Sequence, residues 1–204
     1  MNRIEGIYSF IDEQDKVVDV GCDQAKLSLM LANRGQHSIA SDKSINVINR
    51  AKKDIGNNKY IDLRVSNGLS NIHENEADTL VVAGMGTFTI LEILKNTNIR
   101  FKKIITISNN NHDILRIKMN ELNYMVDTEL IIKENNKYYN LIIFVNGNKN
   151  YTEKEIYLGY NHKDKKMYKE YLNYIYNKYL KIKKLSKDKN NKINKILNLI
   201  EDVL

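Results

Sequence analysis

Five short apolar runs, at 16–20, 37–41, 60–65, 78–83 and 103–107, have the length of buried strands. Between them, residues 24–34, 44–55, 87–95 and 112–122 carry apolar side chains at helical spacing. This alternation predicts βαβ units, with a parallel sheet flanked by helices. Two further apolar runs, 125–132 and 138–145, are separated by Glu134-Asn135-Asn136-Lys137 and read as a hairpin that closes the sheet with an antiparallel pair. A polar break at Gly147–Asn150 ends the alternation. Beyond it, Tyr168, Leu172, Ile175, Tyr179 and Ile182 recur at spacings of four and three, and Ile193, Ile196, Leu197 and Ile200 do so after a polar turn at 186–191. Two amphipathic helices packed as an antiparallel hairpin account for that pattern. The expected organisation is therefore an α/β unit over 1–150 and a helical hairpin over 151–204.

Charge sharpens this division. The chain has 204 residues and a formal net charge of +7, yet residues 151–204 hold 13 lysines against seven acidic side chains. The excess sits almost wholly on the helical hairpin, which suggests an acidic partner such as nucleic acid, or simply a solvated helical face. A single cysteine excludes an internal disulfide framework, charges interrupt every apolar stretch, and the first residues lack a secretory pattern. A cytoplasmic protein away from membranes is expected.

In open α/β sheets the ligand lies beyond the carboxyl ends of the strands, so the loops that follow the five runs are the candidate site. The first is Asp19-Val20-Gly21-Cys22-Asp23-Gln24-Ala25. Gly21 allows a sharp turn and close backbone approach, and Asp19 is placed to order the loop by accepting backbone hydrogens. A diphosphate would be repelled by Asp23 at the helix start, whereas a cationic ligand would be attracted. The second loop, Ser41-Asp42-Lys43, offers a carboxylate suited to ribose hydroxyls or to capping a helix. The third, Ser66-Asn67-Gly68-Leu69, offers an amide that can read an adenine edge or make a turn. The fourth, Ala83-Gly84-Met85-Gly86-Thr87, exposes main-chain groups, and the fifth, Ser108-Asn109-Asn110-Asn111, is rich in amides. Four histidines, at 37, 73, 112 and 162, lack partners at metal-ligand spacing, so no metal is expected.

Taken together these loops resemble the bacterial tRNA adenine-N1 methyltransferases that act at tRNA position 22. The resemblance covers essentially the whole chain. It runs through Arg3 and Ile4, the Asp19–Ala25 loop, Asp42, Arg64-Val65-Ser66-Asn67-Gly68-Leu69, Asp78-Thr79, Leu115-Arg116 and Lys137-Tyr138-Tyr139, with Ala83-Gly84-Met85-Gly86 the most distinctive part. It implies a class I S-adenosylmethionine-dependent methyltransferase fold, a Rossmann-like seven-stranded sheet with a C-terminal helical hairpin or coiled coil. It also implies methyl transfer from S-adenosylmethionine to adenine N1 in tRNA. The chain departs from the family where Cys22, Gln24 and Lys26 replace the usual Ser, His and Tyr, and where Ser108-Asn109-Asn110 replaces Gln-Pro-Asn.

On this reading Asp19, Gly21, Cys22, Asp23, Asp42, Lys43, Asn67, Gly68, Ala83, Gly84 and Met85 form the cofactor site. Asp23, and main-chain groups at Met85, serve catalysis. Gly86, Asn110 and Arg116 face the RNA together with Lys163, Lys165, Lys166, Lys181, Lys183, Lys184, Lys187 and Lys189. Adenine N1 has a free lone pair at neutral pH, so the site needs placement and desolvation rather than a base. Cys22 is read as packing, because N-methylation needs no thiol nucleophile. Two alternatives stay open: a catalytically weakened relative that binds RNA or S-adenosylmethionine, and a small-molecule methyltransferase whose hairpin mediates dimerisation. An NAD enzyme fits least, because the first loop lacks the glycine pattern. The assembly is left between monomer and weak dimer.

Overall fold

The computed structural model describes residues 1–185 and 191–204. Its centre is a seven-stranded sheet in the order β3-β2-β1-β4-β5-β7-β6. The parallel strands are β1 (Val17–Val20), β2 (Ser38–Asp42), β3 (Ile61–Val65), β4 (Thr79–Met85) and β5 (Lys103–Ser108). β7 (Lys137–Asn146) runs antiparallel to β5, and β6 (Tyr124–Glu134) pairs with β7 at the edge. Asn135 and Asn136 both adopt positive φ (49° and 59°), as a two-residue hairpin loop requires.

The pleat divides the apolar side chains between two helical layers. Val18, Val20, Leu80, Val82, Ile104, Ile142 and Phe144 pack with α4 (Thr87–Lys95) and α5 (His112–Glu121). Their neighbours Val17, Val81, Ile105, Ile107, Leu141 and Ile143 pack on the other face with α1 (Arg3–Tyr8) and α2 (Lys26–Asn33). A smaller cluster joins Ile48 and Ala51 of α3 (Ile45–Ile55) to Ala40, Cys22 and Ala25. Central strands buried on both faces read as unbroken apolar runs, which is why they are recognisable as such.

Two short helices escape the periodicity, α1 and α6 (Glu153–Leu158). Each opens with a capping box, Asn2 with Glu5 and Thr152 with Glu155, and that signal is present in the sequence. The helix expected from residue 24 begins only at Lys26, because Asp23 and Ala25 both hold left-handed backbone (φ 48° and 52°).

At the C-terminus, α7 (Lys165–Leu185) and α8 (Asn191–Glu201) pack through Leu172, Ile196 and Ile200 onto Leu158, with Tyr168, Ile175 and Tyr179 half-buried along the seam. Ile182 is exposed, so the seam stops one turn earlier than the spacing suggests. Most of the polar turn expected at 186–191 lies outside the described residues. The segment before α7 is bound to the sheet rather than free of it. Tyr151 and Tyr160 pack against the core, Val126 N donates to the Tyr151 hydroxyl (2.6 Å), and Glu129 pairs with His162 in an isolated bridge. No described helix is long and apolar enough to cross a membrane.

Candidate active site

The chain winds from β1 outward through β2 and β3, then returns to lay β4 on the other side of β1. That reversal opens a crevice at the carboxyl ends of the strands. A cleft of about 640 Å³ occupies it, lined by Val20, Gly21, Asp42, Lys43, Met85, Gly86 and residues 66–70, with Thr89, Glu92, Ile93 and Asn96 of α4 as its far wall.

Each wall has a local cause. The N–H groups of Gly21 and Cys22 donate to the carbonyl of Ser41 (2.8 and 3.0 Å), which folds the first loop over the end of β2. Gly21 has φ +81°, and a Cβ there would collide with the Met85 methyl group, so the Met85 side chain lies in the space the glycine leaves. Asp42 accepts from Ser44 N (2.8 Å) through Oδ1, which presets the carboxylate and leaves Oδ2 without a partner among the described residues. The buried Ser66 hydroxyl accepts from Asn71 N (3.1 Å) and donates to Gly68 O (2.9 Å), which holds Asn67 outward at the cleft. Gly68 itself is at φ +59° against Ile93.

Asp19 stands behind this lining. It is 7% exposed, and burial pushes its carboxyl up to about 7. The expected role in ordering the loop is corrected here. The N–H groups of Gly21 and Cys22 go to Ser41 and that of Ala25 goes to the Cys22 carbonyl, and no described residue donates to the Asp19 carboxylate, so its capacity to accept is unspent. Cys22 is buried in the small apolar cluster, and burial, with Asp19 and Asp42 adding repulsion, pushes its thiol up to about 12. A thiol so protonated fits packing rather than nucleophilic work. Asp23 is exposed on the same turn and is not part of the lining.

At the end of β4, Gly84 (φ +80°) lies where the β4–β5 register shifts between Ala83 and Met85. Ala83 packs against the α1/α2 face, and neither it nor Gly84 lines the cleft. The Gly84 and Met85 carbonyls accept from Asn109 (Nδ2, 2.7 Å, and main-chain N, 2.9 Å), so one lone pair of each is already engaged. Thr87 is held by Ser108 Oγ (2.8 Å), and its hydroxyl and N–H donate to the carbonyl (2.6 Å) and Oδ1 (3.3 Å) of Asn110. The loops after β4 and β5 thus form one cross-braced shelf beside the cleft.

Arg116 requires correction. The resemblance places it against RNA, but its side chain is 2% exposed and Glu129 opposite it is 0% exposed. Nε and Nη2 donate to the two Glu129 oxygens (2.8 and 2.6 Å), and Nη1 donates to Ile156 O (2.8 Å). Tyr160 N adds a further bond to Glu129 (2.9 Å). The pair fastens the segment around α6 to α5 and β6.

The expected lysines fall into two groups. Lys163, Lys165 and Lys166 are exposed near the start of α7, and Lys181, Lys183 and Lys184 are exposed near its end, about 24 Å further along the helix. Lys192 of α8 pairs with Asp113 in the first turn of α5 (2.6 Å). That places the start of α8, and with it the nearby end of α7, on the ligand-facing side of the sheet. Lys187 and Lys189 lie outside the described residues. The α4 wall is missed by sequence reasoning, although Thr89, Glu92 and Asn96 recur at helical spacing directly after the fourth loop and could have been found as a polar face.

A family profile described as a methyltransferase domain matches residues 1–142. The chain belongs to that family. Among curated proteins it is 26% identical over 149 residues to the tRNA (adenine(22)-N(1))-methyltransferase of Bacillus subtilis. That alignment takes in 69% of this chain and 63% of the relative, less than two thirds of the relative's length. Among solved structures, TrmK of M. capricolum in complex with S-adenosyl-homocysteine superposes with a TM-score of 0.84 at 27% identity, covering 99% of this chain and 96% of that one. Sp1610 of Streptococcus pneumoniae superposes with a TM-score of 0.89 at 23% identity over 100% of this chain and 99% of its own, a likeness of fold that includes the C-terminal helices.

Proposed function

We propose that this methyltransferase-family chain transfers the methyl group of S-adenosylmethionine to N1 of an adenine in tRNA, at position 22. The observation that carries the reading is the cleft at the strand reversal, where a carboxylate, an amide and a glycine-opened turn converge at the three places a nucleoside with a cationic tail needs them. Support comes also from the names of the relatives, a position-22 adenine methyltransferase and a homologue holding S-adenosyl-homocysteine.

The residues fit that cofactor. Asp42, preset by Ser44 and with Oδ2 free, suits a ribose diol. Asn67 can donate to and accept from an adenine edge. Gly21 turns the backbone at the cleft with the Met85 side chain against it, and the unpaired Asp19 carboxyl behind them, pushed up to about 7 by burial, ionises more readily beside a cationic ligand than beside a diphosphate. When bound, S-adenosylmethionine supplies an electrophilic methyl group, taken up by the neutral N1 lone pair as positive charge passes from sulfur to the ring.

No proton has to leave N1 first, so the chain's own task is placement and charge stabilisation. The remaining lone pairs of the Gly84 and Met85 carbonyls can accept from the exocyclic amine of the target adenine. Asp23, exposed beside Gly21, offers a carboxylate to the ring as it becomes cationic. Lys181, Lys183 and Lys184 position the RNA through phosphate contacts, with Gly86 and the Asn110 amide at the point of entry. A cytoplasmic location fits such a substrate.

Calorimetry with S-adenosylmethionine beside a tritiated-methyl transfer assay on unmodified tRNA tests the reading. Binding with transfer to tRNA is expected. Binding without transfer favours a weakened, cofactor-binding relative, and transfer to a small molecule with no tRNA shift at low salt favours the metabolite enzyme.

A further inference from the structure

Of the four phenylalanines, Phe101 and Phe144 are buried, Phe10 is half-buried beneath Lys163, and Phe88 alone is 63% exposed. Phe88 lies in the first turn of α4, two residues after Gly86, which lines the cleft. A buried phenylalanine is a large source of folding stability, and one left in water contributes almost none of it. Its backbone is nonetheless rigid. Thr87, immediately before it, is fixed by Ser108 and Asn110, and Ile90 and Leu91, just after it, are core residues.

The helical phase sets where the ring stands. At 100° per residue, the cleft-lining Thr89, Glu92, Ile93 and Asn96 share one face of α4, and Phe88 stands at the edge of that face, one turn before Glu92. The ring therefore marks the rim between the cleft and the Ser108–Asn111 shelf. Beyond that shelf lie Asp113, its partner Lys192, and the basic end of α7. No ring or cation contact to Phe88 occurs among the described residues.

We propose that Phe88 is the residue on which the substrate RNA stacks. This rests on the reading of the cleft given above. An adenine within folded tRNA must leave its base stack before N1 can reach a methyl donor. The vacated place needs an apolar face of base size, rigidly held and close to the cleft, and the Phe88 ring is such a face. It takes a nucleobase neighbouring the target adenine, not the target itself, because Phe88 stands at the rim and is not among the residues that line the cleft. Every base presents a π-face, so the contact positions the RNA without reading its sequence.

The test compares wild type, F88A, F88Y and F88W in methyl transfer to a tRNA transcript with adenine at position 22, with calorimetric S-adenosylmethionine affinity measured in parallel. F88A is expected to lose transfer efficiency by roughly 5- to 150-fold, the cost of one base–aromatic stack. F88Y and F88W should retain it, cofactor affinity should not move, and the indole fluorescence of the F88W protein, whose parent chain has no tryptophan, should be quenched on adding tRNA. Transfer by F88A equal to wild type overturns the stacking alone. So does a loss of cofactor affinity that accounts for the lost transfer. A wild-type chain that binds the cofactor yet methylates no tRNA overturns the proposed function and this inference with it.

Discussion

Replacing Arg116 by methionine removes the cation from a carboxylate that has no water to fall back on. Glu129 is fully buried, and in the variant it keeps only the Tyr160 N–H as a described donor. Breaking a buried pair by deleting one partner costs about 3–5 kcal/mol. For a chain of this size the midpoint of thermal unfolding falls by on the order of 10 °C. The Ile156 carbonyl loses its partner too, so the loosening concentrates where α6 joins the sheet. The double variant Arg116→Met/Glu129→Leu removes the stranded charge, and it should recover part of the loss while leaving Tyr160 N and Ile156 O unpaired. Urea unfolding of the four proteins gives the cycle, with an expected coupling of at least about 2 kcal/mol. Affinity of the folded Arg116→Met protein for tRNA should match wild type. A variant that unfolds within about 2 °C of wild type yet loses tRNA affinity would refute the burial argument and restore Arg116 to the RNA face.

Other perturbations reach the cleft and the arm. Asp42→Ala should weaken S-adenosylmethionine binding by about 10- to 100-fold, the loss of hydrogen bonds to a charged acceptor, as read by calorimetry. Because burial raises Asp19 to about 7, its contribution to folding is fully present below the ordinary carboxylate value and is lost as pH rises through 7. Ionised Asp19 favours a cationic ligand, so cofactor affinity should strengthen from pH 6 to 8, and Asp19→Asn should flatten both profiles. Charge reversal of Lys181, Lys183 and Lys184 should weaken tRNA binding and reduce the slope of log affinity against log salt by about two; an unchanged slope would separate the arm from the RNA.

Most of the sheet is legible in the sequence because its strands are buried on both faces and bounded by turn chemistry, as at Asn135-Asn136. The cleft is legible to the extent that its residues follow strand ends. Asp42, Asn67, Gly68, Met85 and Gly21 all converge there, whereas Cys22, Ala83 and Gly84 shape it from behind. Tertiary contacts decide the rest. Arg116 looks like any surface arginine on an amphipathic helix until Glu129, thirteen residues on in another element, is seen opposite it. Asp19 and Asp23 are both acidic and close in sequence, yet Asp19 lies in β1, which is buried on both faces, while Asp23 holds left-handed backbone in the exposed loop that follows. The capping boxes of α1 and α6 are local signals, easily outweighed by longer periodicities.

The central claim is chemical, and the product can be weighed. Unmodified tRNA is incubated with the full chain and S-adenosylmethionine, digested to nucleosides and analysed by mass spectrometry. The account predicts 1-methyladenosine, arising from position 22 and absent when that adenine is replaced by guanine. Undiminished formation of the same nucleoside after that replacement, or methylation at another atom, would contradict it.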